Sequence, residues 1–568
     1  MTYRPPTDDI LFLLRDVVDT AAILARPEFG HVDADTLEAA VLQAGRIASG
    51  IVAPLNAPAD RIGARLENGV VRLPPGFVDA YKAFCAGGWP GLALPEEYGG
   101  QAMPEIAQAA LSEMSNGASL AFSMLPVCGR AAARVLLAHA GADIQTLWVP
   151  RLASGEWSGT IVMTEPHAGS DIGQARTKAV PRADGSYALT GTKIFISFGD
   201  HDATPQNAHI VLARIEGAPP GVRGLSLFLV PRVTMEADGT LGPRNAIAAT
   251  RIEEKMGIHG SPTCEMRLDG ATGYLLGEPE RGIQNMFTMI NTMRLEVALE
   301  GVGIAGAALD KAARYASERV QGGSGGAPAA IVEHADIRRT LLRMKALTGG
   351  IRGLCYETAA LLDRGRNDEA GFLLPICKAL ASEIAVEVAS LAIQVHGGHG
   401  YISEHGVEQL MRDARITPIY EGTNGIQAID LLLRKIGRDD AKVLSALFDR
   451  VEGDLERDAG TEIGETVAAG LAEWRRVSSS LLDRLEVDVD DGLSGATPYL
   501  RLVGTVLMGW MWLRMAAAAR DGPYGDEIRT LARFYAADIM PETDTLARRA
   551  SMPGEILYTL DSERIVRV

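Results

Sequence analysis

The sequence predicts a multidomain α+β protein in which a β-domain separates helical regions. The 568 residues are too many for one hydrophobic core. Helical periodicity dominates both ends of the chain, and short alternating apolar runs lie between them. We therefore predict an N-terminal α-helical domain (1–158), a central antiparallel, barrel-like β-domain (159–281), a C-terminal four-helix-bundle-like domain (282–437) and an additional α-helical domain (438–568).

The N-terminal region is predicted to be entirely helical. Its alanine-rich segments at 107–114 and 131–139 are typical of helices, and the Gly and Pro residues at 87–90 and 99–100 are typical breaks between helices.

The central region has the short apolar runs of β-strands. A tight turn at Asp184-Gly185 separates two of them, as in an antiparallel hairpin. The predicted strands are 159–163, 187–197, 209–215, 225–230 and 263–268.

Helical spacing returns after Gly282. Apolar residues recur at intervals of mostly three and four within 295–309, 337–354 and 380–395, which predicts three packed helices. The glycine-rich residues 321–330 are predicted to form a flexible connector. Beyond 437, an apolar helix at 500–515 and a final helix at about 528–547 are predicted.

Composition restricts the classes of partner. A net charge of −17 argues against general affinity for nucleic acid or anionic membranes, so small molecules and proteins are the expected partners. The five cysteines are widely spaced and indicate neither a disulfide framework nor a CxxC site, which favours the cytoplasm. The N-terminus lacks the pattern of a signal peptide, and the apolar stretch 501–514 is too short to span a bilayer. We expect no membrane insertion.

Two motifs invite a functional interpretation that we reject. Gly301–Gly306 satisfies GxGxxG, but it follows a helical run instead of a strand, so close helix packing is the better explanation. His396, His399 and His405 lack the regular ligand spacing of a metal site. We predict no metal and expect these histidines to form hydrogen bonds in a turn.

The segment Met163–Asp171 follows the first predicted strand and combines hydroxyl groups with Pro and Gly. Such a loop offers backbone N–H groups and hydroxyls to a polar heterocycle, although a structural turn would have the same composition. The strand 193–197 places Phe195 and Ser197 on one face, which suits either a ligand or an ordinary barrel strand.

Glu421 precedes Gly422 and Thr423, a sequence typical of a tight turn before a helix. Thr423 is predicted to cap that helix, and the turn would direct the Glu421 carboxylate away from it. One interpretation is a general base. The other is a favourable charge at a helix N-terminus.

Taken together and in order, four segments resemble the acyl-CoA dehydrogenase family over roughly residues 80–437. They are its flavin loop (163–171), second flavin strand (193–197), glycine turn (394–401) and base loop (420–427). The N-terminal Tyr-Arg-Pro-Pro sequence, the segments 318–322 and 334–339 and the extra C-terminal domain are similar to a long subgroup of that family.

This resemblance implies the site residues. Those expected to bind FAD are Met163, Thr164, Gly169, Ser170, Phe195, Ser197, Arg319, Gln321, Gln394, Gly397, Gly398 and Thr423. Ser170, Arg294, Tyr420 and Gly422 are expected to bind substrate, although Arg294 could equally form an ion pair. Gly425 departs from the family, in which many members carry glutamine.

The resemblance also implies the reaction, an FAD-dependent α,β-dehydrogenation of an acyl-CoA thioester to the trans-2-enoyl-CoA. Glu421 would remove the α-proton, and the β-hydrogen would pass as hydride to flavin N5. The Glu421 backbone N–H and the FAD ribityl hydroxyl would polarise the thioester carbonyl. Desolvation should raise the Glu421 pKa to roughly 6 to 7.

The substrate implied by the resemblance is 3-methylmercaptopropionyl-CoA or a short to medium acyl-CoA, with a role in dimethylsulfoniopropionate catabolism. The alternatives are a long-chain fatty acyl-CoA dehydrogenase, a flavin acyl-CoA oxidase or a non-catalytic flavin-binding regulatory protein. Electron-transfer flavoprotein is the implied electron acceptor, and the implied assembly is a homodimer or homotetramer.

Overall fold

The computed structural model describes residues 3–236, 239–323, 327–437, 441–458 and 460–567. Within these residues the chain forms two compact units. The first comprises the residues up to Thr7 together with Leu24–Glu296, and the second comprises Asp8–Ile23 and the residues from Val297 onwards. Residues 438–440, where the last predicted domain begins, lie outside the described residues, and our division into four domains stays a prediction.

The N-terminal part of the chain is helical, as predicted, apart from one hairpin. Strands β1 (Arg65–Glu67) and β2 (Val70–Arg72) pair antiparallel. Asn68 and Gly69 join them with φ of 51° and 76°. An Asn-Gly pair is the preferred two-residue hairpin turn, so the sequence carried a signal that our prediction of an all-helical region missed. The helices are α1 (Thr7–Phe12), α2 (Thr20–Leu24), α3 (Ala34–Ile47), α4 (Asn56–Ile62), α5 (Phe77–Ala86), α6 (Glu105–Ala118), α7 (Leu120–His139) and α8 (Ala142–Ser154).

The five predicted strands are present within a larger sheet. The strands are β3 (Ser158–Val162), β4 (Lys178–Pro181), β5 (Tyr187–Ser197), β6 (Asn207–Ile215), β7 (Leu225–Pro231), β8 (Val233–Met235), β9 (Leu241–Arg244), β10 (Ile247–Ile252) and β11 (Thr263–Leu276). Four of these, β4, β8, β9 and β10, were not predicted. Strand β11 also runs beyond its predicted end because it continues through a register shift next to Gly270, whose φ is 75°.

Seven strands form the main sheet in the order β10-β11-β5-β4-β6-β3, and β7 pairs with both β11 and β6. These two pairings of β7 close the sheet into a barrel. The sheet is not wholly antiparallel as predicted, because β3 and β4 each pair parallel with β6. Long connections between these strands in the sequence permit the parallel pairing.

Two apolar cores hold the barrel in the first unit. Its interior is filled by residues such as Leu189, Phe228 and Met266. The second core lies on the outer face of the barrel, where α7 and α8 cover β6 and β7. Trp148 and Ile210 both belong to it. Neighbouring residues of β6 point to opposite faces, so both faces of this strand are buried.

Helix α7 is the one helix, among the described residues, that is long and apolar enough to cross a membrane by length and composition. However, 89% of its most apolar window is buried inside the protein. Burial of this kind is expected of a core helix.

The three bundle helices predicted from periodicity are present as α9 (Gly282–Glu318), which begins in the first unit, α10 (Ala335–Asp363) and α11 (Asn367–His396). A Cβ atom on Gly301 would lie 2.4 Å from the carbonyl oxygen of Ala381. Gly301 is therefore needed for close packing of α9 on α11, which confirms our interpretation of the GxGxxG sequence. Short helices α12 (Glu408–Ala414) and α13 (Asn424–Asp430) follow.

The remaining helices are α14 (Lys442–Arg457), α15 (Glu462–Val487), α16 (Val489–Ser494), α17 (Ala496–Ala518), α18 (Pro523–Phe534), α19 (Glu542–Ala550), α20 (Glu555–Tyr558) and α21 (Ser562–Ile565). Helix α17 contains the apolar stretch predicted to be a core helix, and that prediction is confirmed by its burial. It packs on α10, where Trp512 Nε1 donates to the Ala346 carbonyl at 2.9 Å. The single final helix that we predicted is divided into α18 and α19 by a π-helical segment, Tyr535–Ile539, and by Pro541.

The two ends of the connector after α9 pair with each other. Val320 and Ala330 form a β-bridge, and the Gln321 N–H donates to the Ala329 carbonyl at 3.0 Å. Residues 324–326 of the predicted flexible connector lie outside the described residues. Its described ends are therefore held by backbone hydrogen bonds.

Candidate active site

The predicted flavin loop in the first unit begins where β3 ends, next to β5. Lys193 Nζ donates to the Met163 carbonyl at 2.8 Å, and the Ile194 N–H donates to the Thr164 carbonyl at 2.9 Å. The loop and the predicted second flavin strand are thus adjacent, as the sequence interpretation required. Gly169 and Ser170 lie exposed further along the loop.

A buried ion pair holds this loop to the barrel. Lys193 Nζ lies 2.8 Å from Glu165 Oε1, and both side chains are almost fully buried. Burial alone would raise the pKa of the Glu165 carboxyl, but the Lys193 charge and hydrogen bonds from Thr177 and the Arg176 N–H hold it below its usual value. Burial lowers the pKa of Lys193 to about 8 against the opposing effect of Glu165. Neither residue was assigned a role from the sequence.

Phe195 interrupts the regular strand. Its φ is +61°, and the pairing of β5 with β11 shifts register at this point, as in a β-bulge. Ile196 is buried, Phe195 is 61% exposed and Ser197 is partly exposed. The Ser197 carbonyl accepts a hydrogen bond from Thr160 Oγ1 at 2.6 Å. The bulge therefore presents an aromatic ring outwards beside the loop, a surface suited to a planar ligand.

Arg294 lies on the part of α9 that belongs to the first unit, and it is buried. Near it in sequence, the buried Glu296 pairs with Arg130 of α7. The role of Arg294 in substrate binding stays a prediction.

The predicted base loop in the second unit has the expected tight turn. Glu421 has φ of +53° and Gly422 has φ of +82°. The Thr423 hydroxyl accepts a hydrogen bond from the Ile426 N–H at 3.3 Å, which confirms Thr423 as the N-cap of α13. Before the turn, the Tyr420 hydroxyl donates to the buried carboxylate of Glu300. Glu421 itself is partly exposed.

Two buried side chains that the sequence analysis missed hold the other side of this turn. Lys378 Nζ, from α11, donates to the Gly422 carbonyl at 2.8 Å. Gln427 Nε2 donates to the carbonyls of Glu421 and Gly422 at 3.1 and 3.2 Å. A single lysine in the apolar stretch 373–381 was the available signal, because a buried charge needs a polar partner.

The predicted adenosine-binding turn lies at the end of α11. Gly397 has φ of +60°, and a Cβ atom on it or on Gly398 would meet nothing within 4 Å. Open space around the two glycines suits the approach of a ligand to the backbone. Gln394 in the last turn of α11 is also exposed, and its carbonyl accepts from the Gly397 N–H.

A stack of rings joins this turn to the end of α9. The Tyr315 ring stacks on His396 at 4.3 Å, and its hydroxyl lies 2.8 Å from His399 Nδ1. The exposed Arg319 follows one turn later, so the structure brings the Arg319 segment to the glycine turn. Gln321 is exposed, and its carbonyl oxygen lies 2.7 Å from His334 Nε2. Their contacts with a cofactor stay predictions.

The three histidines that superficially suggested a metal site form part of this stack. The rings of His399 and His405 stack at 4.6 Å, and His396 Nδ1 lies 2.7 Å from the Ala392 carbonyl. Across the residues described here, no group of three or more His, Cys, Asp or Glu side chains is arranged to hold a metal ion.

Sequence comparison matches the chain to family models along most of its length. The N-terminal domain of acyl-CoA dehydrogenases matches residues 64–156, the middle domain 160–271 and the C-terminal domain 280–436. A fourth model, described as acetyl-CoA dehydrogenase C-terminal like, matches residues 447–561.

Two curated relatives match nearly the full chain. The 3-methylmercaptopropionyl-CoA dehydrogenase of Ruegeria pomeroyi is 40% identical over 95% of this chain and 96% of its own length. The broad-specificity linear acyl-CoA dehydrogenase FadE5 of Mycobacterium tuberculosis is 33% identical over 99% of this chain and 98% of its own length. Among solved structures, Caenorhabditis elegans ACDH-11 in complex with C11-CoA shares the fold, with a TM-score of 0.79, 22% identity and coverage of 99% of this chain and 96% of that chain.

Proposed function

Because the chain belongs to the acyl-CoA dehydrogenase family, we propose that it is an FAD-dependent oxidoreductase that converts an acyl-CoA thioester to the trans-2-enoyl-CoA. The proposed catalytic base is Glu421. The observation that carries the proposal is the backbone of this residue, because a glutamate with φ of +53° is uncommon and its turn is held from both sides. Strained residues that the surrounding structure holds in place concentrate at active sites.

The residues of the barrel fit a flavin. The exposed Phe195 ring offers a flat apolar surface, and the adjacent loop offers the Ser170 hydroxyl and a backbone without a side chain at Gly169. Phe195, Ser197, Met163 and Thr164 would hold the flavin ring. Across a subunit interface, Arg319 and Gln321 would reach the pyrophosphate of FAD, and Gln394, Gly397 and Gly398 would reach its adenosine end. Thr423 would close the FAD site beside the base.

Bound FAD would supply the redox capacity that the protein side chains lack, since it can accept the β-hydrogen as hydride. The protein supplies the proton chemistry. The α-hydrogen of a thioester is only weakly acidic, so the Glu421 backbone N–H would stabilise negative charge on the carbonyl oxygen while the carboxylate removes the proton. The raised pKa expected for Glu421 stays a prediction.

The decisive variant is Glu421→Gln, which keeps the shape of the side chain but removes its basicity. We expect the purified variant to retain FAD, seen as its yellow absorbance, and to lose turnover by about 10²- to 10⁴-fold. Glu456→Gln, at an exposed position of α14, is the matched control. Near-normal turnover of Glu421→Gln would exclude Glu421 as the base.

For the substrate, we propose 3-methylmercaptopropionyl-CoA or a short to medium acyl-CoA, and hence a role in dimethylsulfoniopropionate catabolism. The name of the Ruegeria pomeroyi relative supports this choice. The name of FadE5 describes a broad specificity for linear acyl-CoA, so a long-chain fatty acyl-CoA stays the alternative. Anaerobic titration with propionyl-, butyryl-, octanoyl-, palmitoyl- and 3-methylmercaptopropionyl-CoA would rank them by flavin bleaching. Preferential bleaching by palmitoyl-CoA would contradict the short-chain proposal.

We further propose a cytoplasmic homodimer or homotetramer that passes electrons to electron-transfer flavoprotein. Tyr401 and Ile402, beside the glycine turn, are 85% and 50% exposed, which is the kind of apolar surface that a second subunit covers. Sedimentation would measure the assembly.

Comparing a dye or electron-transfer flavoprotein with oxygen as the acceptor would separate a dehydrogenase from an acyl-CoA oxidase.

A non-catalytic flavin-binding regulatory protein is the alternative from another class. A protein of that class would bind flavin, but no acyl-CoA would bleach the flavin absorbance under anaerobic conditions.

A further inference from the structure

The contacts around the base loop assign a role to Lys378. We propose that Lys378 is a positioning residue, whose buried ammonium group holds the Gly422 carbonyl and thereby directs Glu421 towards the substrate. This inference rests on the proposed function, because it takes Glu421 to be the base.

Burying the charge of Lys378 is costly. Lys378 lies in the middle of α11 with no exposed surface, between Cys377 and Ala379, which are also buried. Removing an ammonium group from water costs several kcal/mol unless polar partners surround it. Two of its partners, the Gly422 carbonyl at 2.8 Å and Asn424 Oδ1 at 3.1 Å, belong to the segment that follows Glu421. The charge is therefore directed at the base loop.

Two side chains together hold the backbone of the base loop. Gln427 Nε2 binds the carbonyl of Glu421, and Lys378 and Gln427 together bind the carbonyl of Gly422. These contacts fix both peptide groups that follow the Glu421 side chain. Gln427 Oε1 has no hydrogen-bond partner among the described residues, as expected if the amide is oriented to give its N–H groups to the two carbonyls.

The backbone of the turn has another conformation open to it. Gly422 is exposed, and glycine can adopt nearly any φ, so without Lys378 its carbonyl would keep only the longer bond from Gln427 and could turn to water. A non-glycine residue in the left-handed region costs roughly 1–2 kcal/mol, so Glu421 would then relax out of it. Asn424 is itself held by Ser382 and Ala379 of α11, which ties the start of α13 to the same helix. The turn thus depends on Lys378 at Gly422.

The test separates proton removal from the complete reaction. Acetyl-CoA has α-hydrogens but no β-carbon, so it cannot be dehydrogenated, and exchange of its α-hydrogens with D2O reports the base alone. For Lys378→Met, we expect FAD content and thermal midpoint to stay close to wild type. We expect α-hydrogen exchange and kcat to fall by about 10²-fold with little change in KM, because misplacing a catalytic group by about 1 Å has an effect of that size.

A double-mutant cycle shows whether Lys378 acts through Glu421. In the Glu421→Gln background, Lys378→Met should cause no further loss of exchange or of kcat. Lys378→Arg, which keeps a charged donor, should recover part of the wild-type rate. Lys345→Met is the control, since Lys345 forms a surface ion pair with Glu527 in the same unit.

Unchanged exchange and kcat in folded Lys378→Met would overturn the inference, as would an equal loss in the Glu421→Gln background. If Lys378→Met does not fold, Lys378→Gln, which removes the charge but keeps a polar side chain, takes its place, and normal exchange and kcat in that variant would also overturn the inference. Failure of the proposed function is seen separately, as normal exchange and turnover in Glu421→Gln alone.

Discussion

Glu421 and Gly422 are consecutive residues with positive φ, and they play different parts in the turn. Glycine adopts this conformation at no steric cost, whereas the glutamate does so only because its neighbours hold it. Tyr420 is bound through its hydroxyl to Glu300, and the Gly422 carbonyl is bound by Lys378. The direction of the carboxylate is therefore set by contacts on both sides of it.

Gly422→Ala should damage this turn in a way that Gly425→Ala does not. A Cβ atom on Gly422 would sit at φ of +82° and 2.8 Å from Gln427 Nε2, so it would displace a hydrogen-bond donor of the loop. We expect a loss of roughly 1–2 kcal/mol in the free energy of unfolding, and a fall in kcat of roughly tenfold or more. Thermal melts and steady-state kinetics would measure the two effects.

Gly425→Ala is the matched control for that variant, because a Cβ atom there would meet only Thr423 Oγ1, at 3.9 Å. Gly425 lies within α13, where alanine is favoured over glycine by roughly 0.5–1 kcal/mol. Equal losses in the two variants would contradict the role given to the left-handed turn.

At the scale of elements, the barrel is held by polar groups as well as by apolar packing. Ser158 of β3 lies 2.9 Å from His201 Nε2, and the Ala203 N–H donates to His201 Nδ1 at 3.2 Å. This arrangement places the ring proton on Nε2, so His201 donates to Ser158 and cannot act as a base towards it. Ser158 and His201 therefore resemble the serine and histidine of a hydrolase triad in residue type only.

The stability of the barrel should decrease in acid because of His201. Burial and the nearby Arg232 charge lower the pKa of His201 to about 3. The unfolded state gains a proton near pH 6.5, whereas the folded state gains it only near pH 3. Stability from this residue is present above pH 6.5 and is lost as the pH falls through that window, by up to about 1.4 kcal/mol per pH unit.

His201→Asn should therefore flatten the dependence of the unfolding free energy on pH between 7 and 4, measured by urea denaturation at several pH values. His209 is also buried with a lowered pKa and will keep part of the slope. An unaltered slope in His201→Asn would show that other groups cause the acid sensitivity.

At the scale of the whole molecule, the C-terminal helices are tied to the bundle within the second unit. The carboxylate of Glu357 on α10 is fully buried and lies 2.6 Å from Arg450 and 2.8 Å from Arg514. Burial alone would raise the pKa of Glu357, but the charges of Arg514, Arg450 and Arg364 hold it below its usual value. One carboxylate thus joins α10 to α14 and α17.

Glu357→Gln should destabilise the second unit strongly, because it removes a fully buried negative charge that lies beside Arg364, Arg450 and Arg514, of which Arg450 keeps its second ion pair, with Glu369. Breaking a buried ion pair on one side costs about 3–5 kcal/mol. We expect a clear fall in the thermal midpoint and in the urea midpoint. Glu452→Gln removes a half-exposed ion pair with Arg475 and should change the unfolding free energy by less than about 1 kcal/mol. A small effect of Glu357→Gln would mean that apolar packing alone joins these helices.

The sequence by itself determined the order of helical and β regions, the five main strands, the three bundle helices and the tight turn before the Thr423 cap. These features follow from local periodicity and from residues with strong backbone preferences, which act over a few positions. The motifs of the flavin loop and the base loop were likewise recognisable in short segments.

Only the tertiary structure decided which distant groups meet. The parallel pairing of β3 and β4 with β6, the bulge at Phe195 and the contact of Lys378 with Gly422 join residues far apart in sequence. Lys378 lies 44 positions before Gly422, so no local pattern reveals what its charge binds. The physical reason is that a buried charge must find a partner in the folded protein, and its place in the chain does not say where that partner lies.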